Sequence, residues 1–600
     1  MGTALHAEEP LDRAYDARLL GRLLRYLRPH GWLAAAALVL LLGSAGLALV
    51  GPWLTQYALD VAIPARDAGL LATLAGIFLA ALLLEFLTEY GQALITTTIG
   101  QRVMVSLRLQ LFDRLQRLSI AFFDRNPVGR LMTRVTSDVE TLNELFSSGL
   151  VTVFGDLFTL IAIMAMMLAL DWKLALAAFA VIPLVWGVAT VFRRAVRGAF
   201  RDIRVRLARI NSFLQEHLSG MRVVQLFGRE DAAATAFDRL NRDHLDAHLR
   251  SITVYAVFFP VVEFLAALAL ALMLWYGGLR SLEGTLTVGT LAAFIQLSRR
   301  FFQPLQDLSE KVNLLQGAMA SSERIFQLLD EPVTVAEPAA PAALAEPVRG
   351  EVRFEGVWFR YSPGGPWVLR DVSFTAAPGR TVALVGHTGA GKTTVISLLL
   401  RFYEPERGRI TIDGVDIRDL PTATLRGLIG FVQQDLFLFA GDIVHNLVLD
   451  APVPEARARE AAERVGADRF IARLPSGYRH RLGERGRSLS VGERQLLSFA
   501  RALALDPAIL LLDEATSSVD AEAEAQIQRA IGTLMAGRTS IVVAHRLSTI
   551  LHADEILVFH QGEFGSGART GACSPPGGCT SACTCSRRRV ARGSGPPSAP

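Results

Sequence analysis

Between Gly31 and Leu59 the chain carries no charged side chain. About twenty apolar residues cross the hydrocarbon core of a bilayer as a helix, and inside lipid only a helix or a closed barrel satisfies every backbone N–H and C=O. Similar runs recur at about Ala68 to Leu84, Leu145 to Leu170 (broken by Asp156), Leu174 to Phe192 and Ser251 to Leu279 (broken by Glu263). A weaker sixth lies near Gly284 to Ser298. The spacing predicts six membrane helices, and the chain's 51% hydrophobic and 20% charged residues are more apolar than a water-soluble enzyme requires.

Arginine placement sets the orientation. Arg18, Arg22, Arg25 and Arg28 precede the first run, and the long loops Arg102 to Arg134 and Arg193 to Arg250 are arginine-rich. The connections Asp60 to Asp67, Asp171 to Lys173 and Arg280 to Glu283 are short and nearly neutral. The N-terminus and both long loops are therefore expected on the cytosolic side of the cell membrane. Val103, Leu107, Leu111, Leu115 and Leu118 recur at helical spacing, so helices should continue beyond the bilayer, with turns near Phe122 to Pro127 and Gly220 to Val224 projecting toward a cytosolic domain. Asp156, Glu263, Glu85 and Glu89 are costly against lipid. They line a cavity, or they sit at helix ends and in interhelical pairs; both readings stay open.

The second half changes character. Glu331 to Pro347 is rich in Ala and Pro and reads as an extended tether, after which strand and helix patterns alternate. The organisation expected is an N-terminal segment 1–30, a membrane all-α domain 31–330, a linker 331–349, an α/β P-loop nucleotide-binding domain 350–563 and an aberrant tail 564–600. Within the α/β part, Thr381 to Val385 reads as a buried strand and Thr394 to Phe402 as a helix with an apolar face. Between them, Gly386-His387-Thr388-Gly389-Ala390-Gly391-Lys392-Thr393-Thr394 fits the P-loop pattern. Its glycines let successive N–H groups point at phosphate oxygens, and the following helix adds its positive end. Lys392 can place a compact ammonium on the β and γ phosphates of ATP, and the Thr393 hydroxyl can join a Mg2+ shell. Only Lys173, Lys311 and Lys392 among the 61 basic residues are lysines, and one stands where a point charge is wanted. Further on, Ala508 to Leu512 ends in Asp513-Glu514, two carboxylates at a strand end. Asp513 can orient Mg2+, and Glu514 can act as general base on an attacking water.

At this point the chain resembles the ATP-binding cassette (ABC) family, specifically its half-size type IV exporters, over about residues 15 to 560. Leu489-Ser490-Val491-Gly492-Glu493-Arg494-Gln495 is similar to the family signature, Ser517 to Asp520 to its D-loop, Gln434 to the Q-loop glutamine and His545 to the switch histidine. Tyr361 stands where the family has the aromatic that stacks on adenine. The resemblance implies two nucleotide domains sandwiching two ATP molecules, each bound by the P-loop of one domain and the signature of the other. Ser490, Gly492 and the helix they open would offer N–H donors to the partner's γ-phosphate, with Glu493 and Asp520 alongside. His545 and Lys392 would contact the γ-phosphate of this chain's own site, and Gln434 would join Thr393 and Asp513 around Mg2+. A half-transporter then needs a second ABC subunit. Where the family reads L-S-G-G-Q, this chain has Val491 and Glu493, while Glu514 is intact. That combination resembles one subunit of an asymmetric heterodimer; a homodimer is the other reading.

The implied function is ATP-driven export of small hydrophobic or amphipathic substrates, multidrug-type, by alternating access. A lipid flippase is the alternative within transport, and an ATP-gated channel or regulator the alternative outside it. The net charge of +4 is small and the arginines flank apolar runs, so no nucleic-acid partner is expected. All four cysteines, Cys573, Cys579, Cys583 and Cys585, fall in the tail, which leaves residues 1–572 suited to a reducing cytosolic face. Read one nucleotide out of frame, Phe564 to Ser586 can supply a glycine, a threonine-histidine pair and a closing helix, which is the ending the family has. A frameshift near Gly562 and a disordered 564–600 are therefore expected.

Overall fold

The computed structural model describes residues 17–513, 521–544, 550 and 552–569. They divide into two compact units. One comprises the described residues up to Gln116 and Pro127–Glu331, and the other comprises Arg117–Asn126 together with the described residues from Pro332 onward.

The first unit is helical throughout. Its long helices are Gly31–Tyr57, Ala68–Arg117, Leu150–Leu170, Ile182–Ser219 (preceded by Trp172–Phe179), Glu230–Leu282 and Val288–Asp330. Among the described residues five stretches, Arg28–Ala62, Ala68–Arg117, Val153–Leu170, Trp172–Ser219 and Glu230–Leu282, are long and apolar enough to cross a membrane. The weak sixth run belongs to the 43-residue helix Val288–Asp330, long enough to cross but interrupted by Arg299 and Arg300. At 1.5 Å per residue the 50-residue helix Ala68–Arg117 extends about 75 Å, far beyond a hydrocarbon core of about 30 Å. Its distal turns bury Val103, Leu107 and Leu111, as the heptad-like spacing requires. Among the costly carboxylates, Glu85 lies 3.6 Å from Arg300, whose guanidinium also donates to the Ala48 carbonyl at 2.8 Å. Glu85 therefore follows the interhelical-pair reading. Glu89 and Glu263 are exposed on their helices.

Among the described residues the second unit is built on three sheets. Strands β1 (Val352–Phe359), β2 (Leu369–Ala376), β4 (Arg407–Ile412) and β5 (Val415–Asp416) form an antiparallel sheet ordered β2-β1-β4-β5. Strands β3 (Thr381–Gly386), β6 (Ile429–Val432), β9 (Ile509–Asp513), β10 (Thr539–Val543), β11 (Glu555–His560) and β12 (Glu563–Arg569) form the principal sheet, ordered β12-β11-β3-β10-β9-β6. Strands β7 (Gly441–Asp442) and β8 (Arg481–Leu482) make a small separate pair. All of the principal sheet is parallel except β12. Its centre is covered on both faces. Ile509, Leu511, Ile541 and Val543 enter one core with the P-loop helix Lys392–Leu399, while Leu510, Leu512 and Val542 enter a second with the helices Glu455–Val465 and Val491–Ala504. Strands buried on both faces read as uninterrupted apolar runs, which is why AILLL was legible as a strand.

Two expectations change. The linker is extended yet fastened to its unit: Arg401 donates to the Ala336 carbonyl at 2.8 Å, the Ala342 N–H to the Asp419 carbonyl at 2.8 Å, and Thr422 to Glu337. The disorder expected from residue 564 is corrected for 564–569, whose backbone pairs antiparallel with β11 from His560↔Glu563 to Glu555↔Arg569. A hairpin of this kind uses main-chain groups, turned here by Gln561 and Gly562 at φ 50° and 84°, so it tolerates an unusual side-chain sequence. The rest of that tail lies outside the described residues.

Candidate nucleotide-binding site

The parallel register aligns the strand ends. Leu384, Val543 and Asp513 lie level across β3, β10 and β9, and Val432 lies level with Leu512. The P-loop, the β9 carboxylate and the Gln434 loop therefore leave one edge of the sheet, the carboxyl edge where parallel α/β sheets bind ligands.

Two glycines of the loop have no substitute. A Cβ on Gly386 would stand 2.4 Å from the Phe559 carbonyl of the neighbouring strand. Gly391 caps the P-loop helix at φ 101°, and a Cβ there would stand 2.7 Å from Leu369 Cδ2 and 3.0 Å from the Val368 carbonyl. Lys392 opens that helix and is buried, 5% exposed. Its Nζ donates to the carbonyls of Gly386 at 2.8 Å and His387 at 2.9 Å, holding the ammonium across the loop. Burial pulls its pKa below the usual lysine value, and the Asp513 carboxylate opposes that shift. The Asp513 carboxylate thus lies within electrostatic reach of the Lys392 ammonium. His387, Thr388 and Gly389 are exposed on the rim and Ala390 is buried beneath it. Thr393 is exposed at the first turn of the helix, and Thr394 is buried.

Thr394 does something the sequence did not announce. Its hydroxyl is hydrogen-bonded to the Tyr361 hydroxyl at 2.9 Å, which ties the expected base-stacking ring to the P-loop helix. Tyr361 is 48% exposed, so part of the ring is open to a base, while burial of the rest raises its pKa. Tyr403 closes against it edge-on, with ring centroids 5.1 Å apart. An isolated tyrosine carries no sequence signal, and this contact is legible only in the fold.

Gln434 is exposed and lines a cleft of about 600 Å³ with Asp513, Val491, Arg494 and Gln495. At the signature, Ser490 caps the helix Val491–Ala504 and Gly492 is buried in its first turn. The Ser490 hydroxyl accepts the Glu493 N–H at 3.2 Å; in return the Glu493 carboxylate accepts the Ser490 N–H at 2.8 Å and its hydroxyl at 2.9 Å. This reciprocal capping box satisfies two orphan donors of the helix end. It also changes the expectation for Ser490, because both of its donors are engaged inside the chain. The S-x-x-E spacing that could have shown this was in the sequence. Glu514, Asp520 and His545 lie outside the described residues.

Comparison with known proteins agrees with this architecture. The family model for the ABC transporter transmembrane region matches residues 34–305, and that for the ABC transporter matches residues 369–517. Relatives include the fatty acid ABC transporter ATP-binding/permease protein of Mycobacterium tuberculosis, 40% identical over 81% of this chain and 76% of that protein. A probable multidrug resistance ABC transporter ATP-binding/permease protein of Bacillus subtilis, YheH, is 38% identical over 79% of this chain and 71% of its own length. The ATP-dependent lipid A-core flippase of Syntrophus aciditrophicus is 36% identical over 90% of both chains. With a membrane region and an ATP-hydrolysing unit on one polypeptide, the chain belongs to the ABC transporter family, as a half-transporter of the exporter type in which ATP hydrolysis drives passage across the membrane.

Proposed function

We propose that this chain is one half of a dimeric exporter of hydrophobic or amphipathic small molecules, multidrug-type, working in the cell membrane with its nucleotide unit in the cytosol. The observation that carries the cargo class is a groove of about 850 Å³ between the helices Ile182–Ser219 and Glu230–Leu282. Val191, Phe192, Val257 and Phe258 line its length, and Asp202 and Arg250, 3.7 Å apart, stand among the lining residues. Apolar walls beside a few charged groups suit an amphiphile. The similarity to a lipid A-core flippase and a fatty acid transporter supports a second reading, a lipid flippase, for the same groove. ATPase stimulation of the reconstituted transporter by a lipophilic dye, a single-chain lipid and a peptide separates the readings. Stimulation by peptide alone overturns both.

Mg2+ belongs to this proposal. The donors present, the Thr393 hydroxyl, the Gln434 amide oxygen and the Asp513 carboxylate, are hard oxygens, too few for a self-contained cage and suited to a cation held chiefly by phosphate and water. In this reading Glu514 activates water, His545 and Lys392 meet the γ-phosphate, Tyr361 stacks on adenine and Asp520 lies at the dimer seam.

We also favour a heterodimer, because Glu493 places a carboxylate where the partner's triphosphate would approach. Glu493→Gln keeps a capping oxygen and removes the charge. It should tighten ATP at the site this signature completes by roughly fivefold, about 1 kcal/mol at a helix N-terminus. Equilibrium binding of a fluorescent ATP analogue to the dimer measures it, and unchanged affinity contradicts the repulsive role. A tagged chain that purifies as an active pair only with itself removes the heterodimer. The frameshift near Gly562 is part of the same reading, and an unbroken frame on resequencing the gene there overturns it.

A further inference from the structure

The short helix Ala17–Arg25 and the turn Arg28–His30 lead into the first membrane helix, Gly31–Tyr57. Leu23 is fully buried, the Tyr26 hydroxyl donates to the Gln110 amide oxygen at 2.7 Å, and Arg22 pairs with Asp330 while lying 4.1 Å from the centre of the Phe326 ring. The segment is therefore docked on the helices Ala68–Arg117 and Val288–Asp330. Where it joins the membrane helix a cavity of about 190 Å³ opens, lined by Leu27, Ala34, Leu41, Thr96, Ile99 and Phe154 among others. Thr96 is the polar member of that lining, and its hydroxyl is engaged by its own helix, donating to the Gln92 and Ala93 carbonyls at 2.9 and 3.2 Å. Such a wall suits a hydrocarbon segment and not water. Ala34 and Leu41 are separated by ~10 Å along the helix, within the ~15 Å that one leaflet contributes to the hydrocarbon core. At the level of Leu41 the helix Leu150–Leu170 closes in, since a Cβ on Gly155 would stand 3.1 Å from Leu41 Cδ1.

The charges lie at the polar end of this cavity. Arg28 adjoins the lining residue Leu27, Arg25 is two residues before it, and Arg102 is one turn beyond Ile99 toward the distal end of its helix. All three are exposed, and among the described residues no ion pair or hydrogen bond engages them. Asp330, the carboxylate that does reach this segment, is paired with Arg22. Positive charge is thus left uncompensated just before the charge-free run that begins at Gly31, the level of the lipid headgroups. Trp32, 81% exposed, stands at the same level, where an amphipathic ring is at home. Guanidinium forks match phosphate oxygens, and basic pockets between membrane helices recognise anionic headgroups. A zwitterionic lipid carries its own ammonium beside the phosphate and gains less from the same arginines.

We propose that this cavity is a binding site for an anionic phospholipid of the surrounding leaflet. Its phosphate sits among Arg25, Arg28 and Arg102, and the upper part of one acyl chain lies between the helices Gly31–Tyr57, Ala68–Arg117 and Leu150–Leu170. The lipid is a resident of the site and not cargo, since the groove proposed for cargo lies between two other helices, Ile182–Ser219 and Glu230–Leu282. Occupancy ties the helix Ala17–Arg25 to the membrane surface and, through Arg22 and Asp330, steadies the last turn of Val288–Asp330.

Native mass spectrometry of the delipidated full-length transporter, with phosphatidylglycerol or phosphatidylcholine added back, tests the site. Phosphatidylglycerol should bind roughly tenfold or more tightly than phosphatidylcholine, the scale of a few arginines beside an anionic lipid. Arg25→Gln combined with Arg28→Gln should remove that preference and leave phosphatidylcholine within about twofold of native. Both positions are exposed, so the double variant keeps the packing that holds the fold. Ala34→Phe leaves the charges in place and fills the cavity; it should abolish tight phosphatidylglycerol binding while basal ATPase activity stays within about twofold. Glycerol phosphate, a headgroup without a chain, should not compete. Equal retention of the two lipids by the native protein, or an unchanged preference in the arginine double variant, means adventitious annular lipid and overturns the site. Undiminished phosphatidylglycerol binding in an active Ala34→Phe variant overturns the place of the chain. Displacement of phosphatidylglycerol by a lipophilic dye that stimulates the ATPase makes the cavity part of the cargo route and overturns the resident role.

Discussion

Lys392→Met should lower ATP hydrolysis by roughly a hundredfold or more, the cost of removing one preorganised donor from a developing phosphate charge. The methionine stem fills the same buried channel, so the loss isolates the ammonium. That ammonium now bridges the Gly386 and His387 carbonyls at 2.8 and 2.9 Å, and it is already desolvated before any ligand arrives. Binding a triphosphate exchanges carbonyl acceptors for anionic ones, and little further desolvation is needed. Lys392→Arg should fail as well, because a planar guanidinium does not fit the two-carbonyl clasp of a point charge. Steady-state phosphate release and binding of a fluorescent ATP analogue read the two effects, and turnover within tenfold of native contradicts the role.

Glu514→Gln should abolish steady hydrolysis, by about a hundredfold or more, and leave ATP binding intact. The residue directly follows Asp513, which is buried at the end of β9 with the Lys392 ammonium in its field. Division of labour between adjacent carboxylates follows from the reading proposed above, with Asp513 turned to the cation and Glu514 to water. An amide in place of the second carboxylate keeps its size and loses its basicity. The expected signature is a stable ATP-loaded dimer, seen as retained nucleotide after gel filtration in Mg2+. Continued turnover refutes the general-base assignment.

The P-loop and the membrane helices were legible because both are local. A charge-free run from Gly31 to Leu59 needs only its own length to specify a crossing, and glycines in a strand-to-helix turn need only their own backbone freedom. Glu493 was legible in principle, since S-x-x-E is a local pattern, yet a family signature drew the reading toward a partner's phosphate and away from the helix's own cap. Strand β12 shows the opposite failure. Its composition argued for disorder, whereas the ladder to β11 asks only for main-chain donors and acceptors.

By itself the sequence determined the two-part architecture, the phosphate loop and the carboxylate of Asp513 at the strand end. Each of these depends on neighbours a few residues away. Only the tertiary structure decided that Glu85 faces Arg300, that Thr394 holds Tyr361, and that Tyr403 meets Asp124 across 279 residues of chain. Such pairings are set by the summed path of every element between the partners, and no local pattern of apolar spacing or turn chemistry encodes that path.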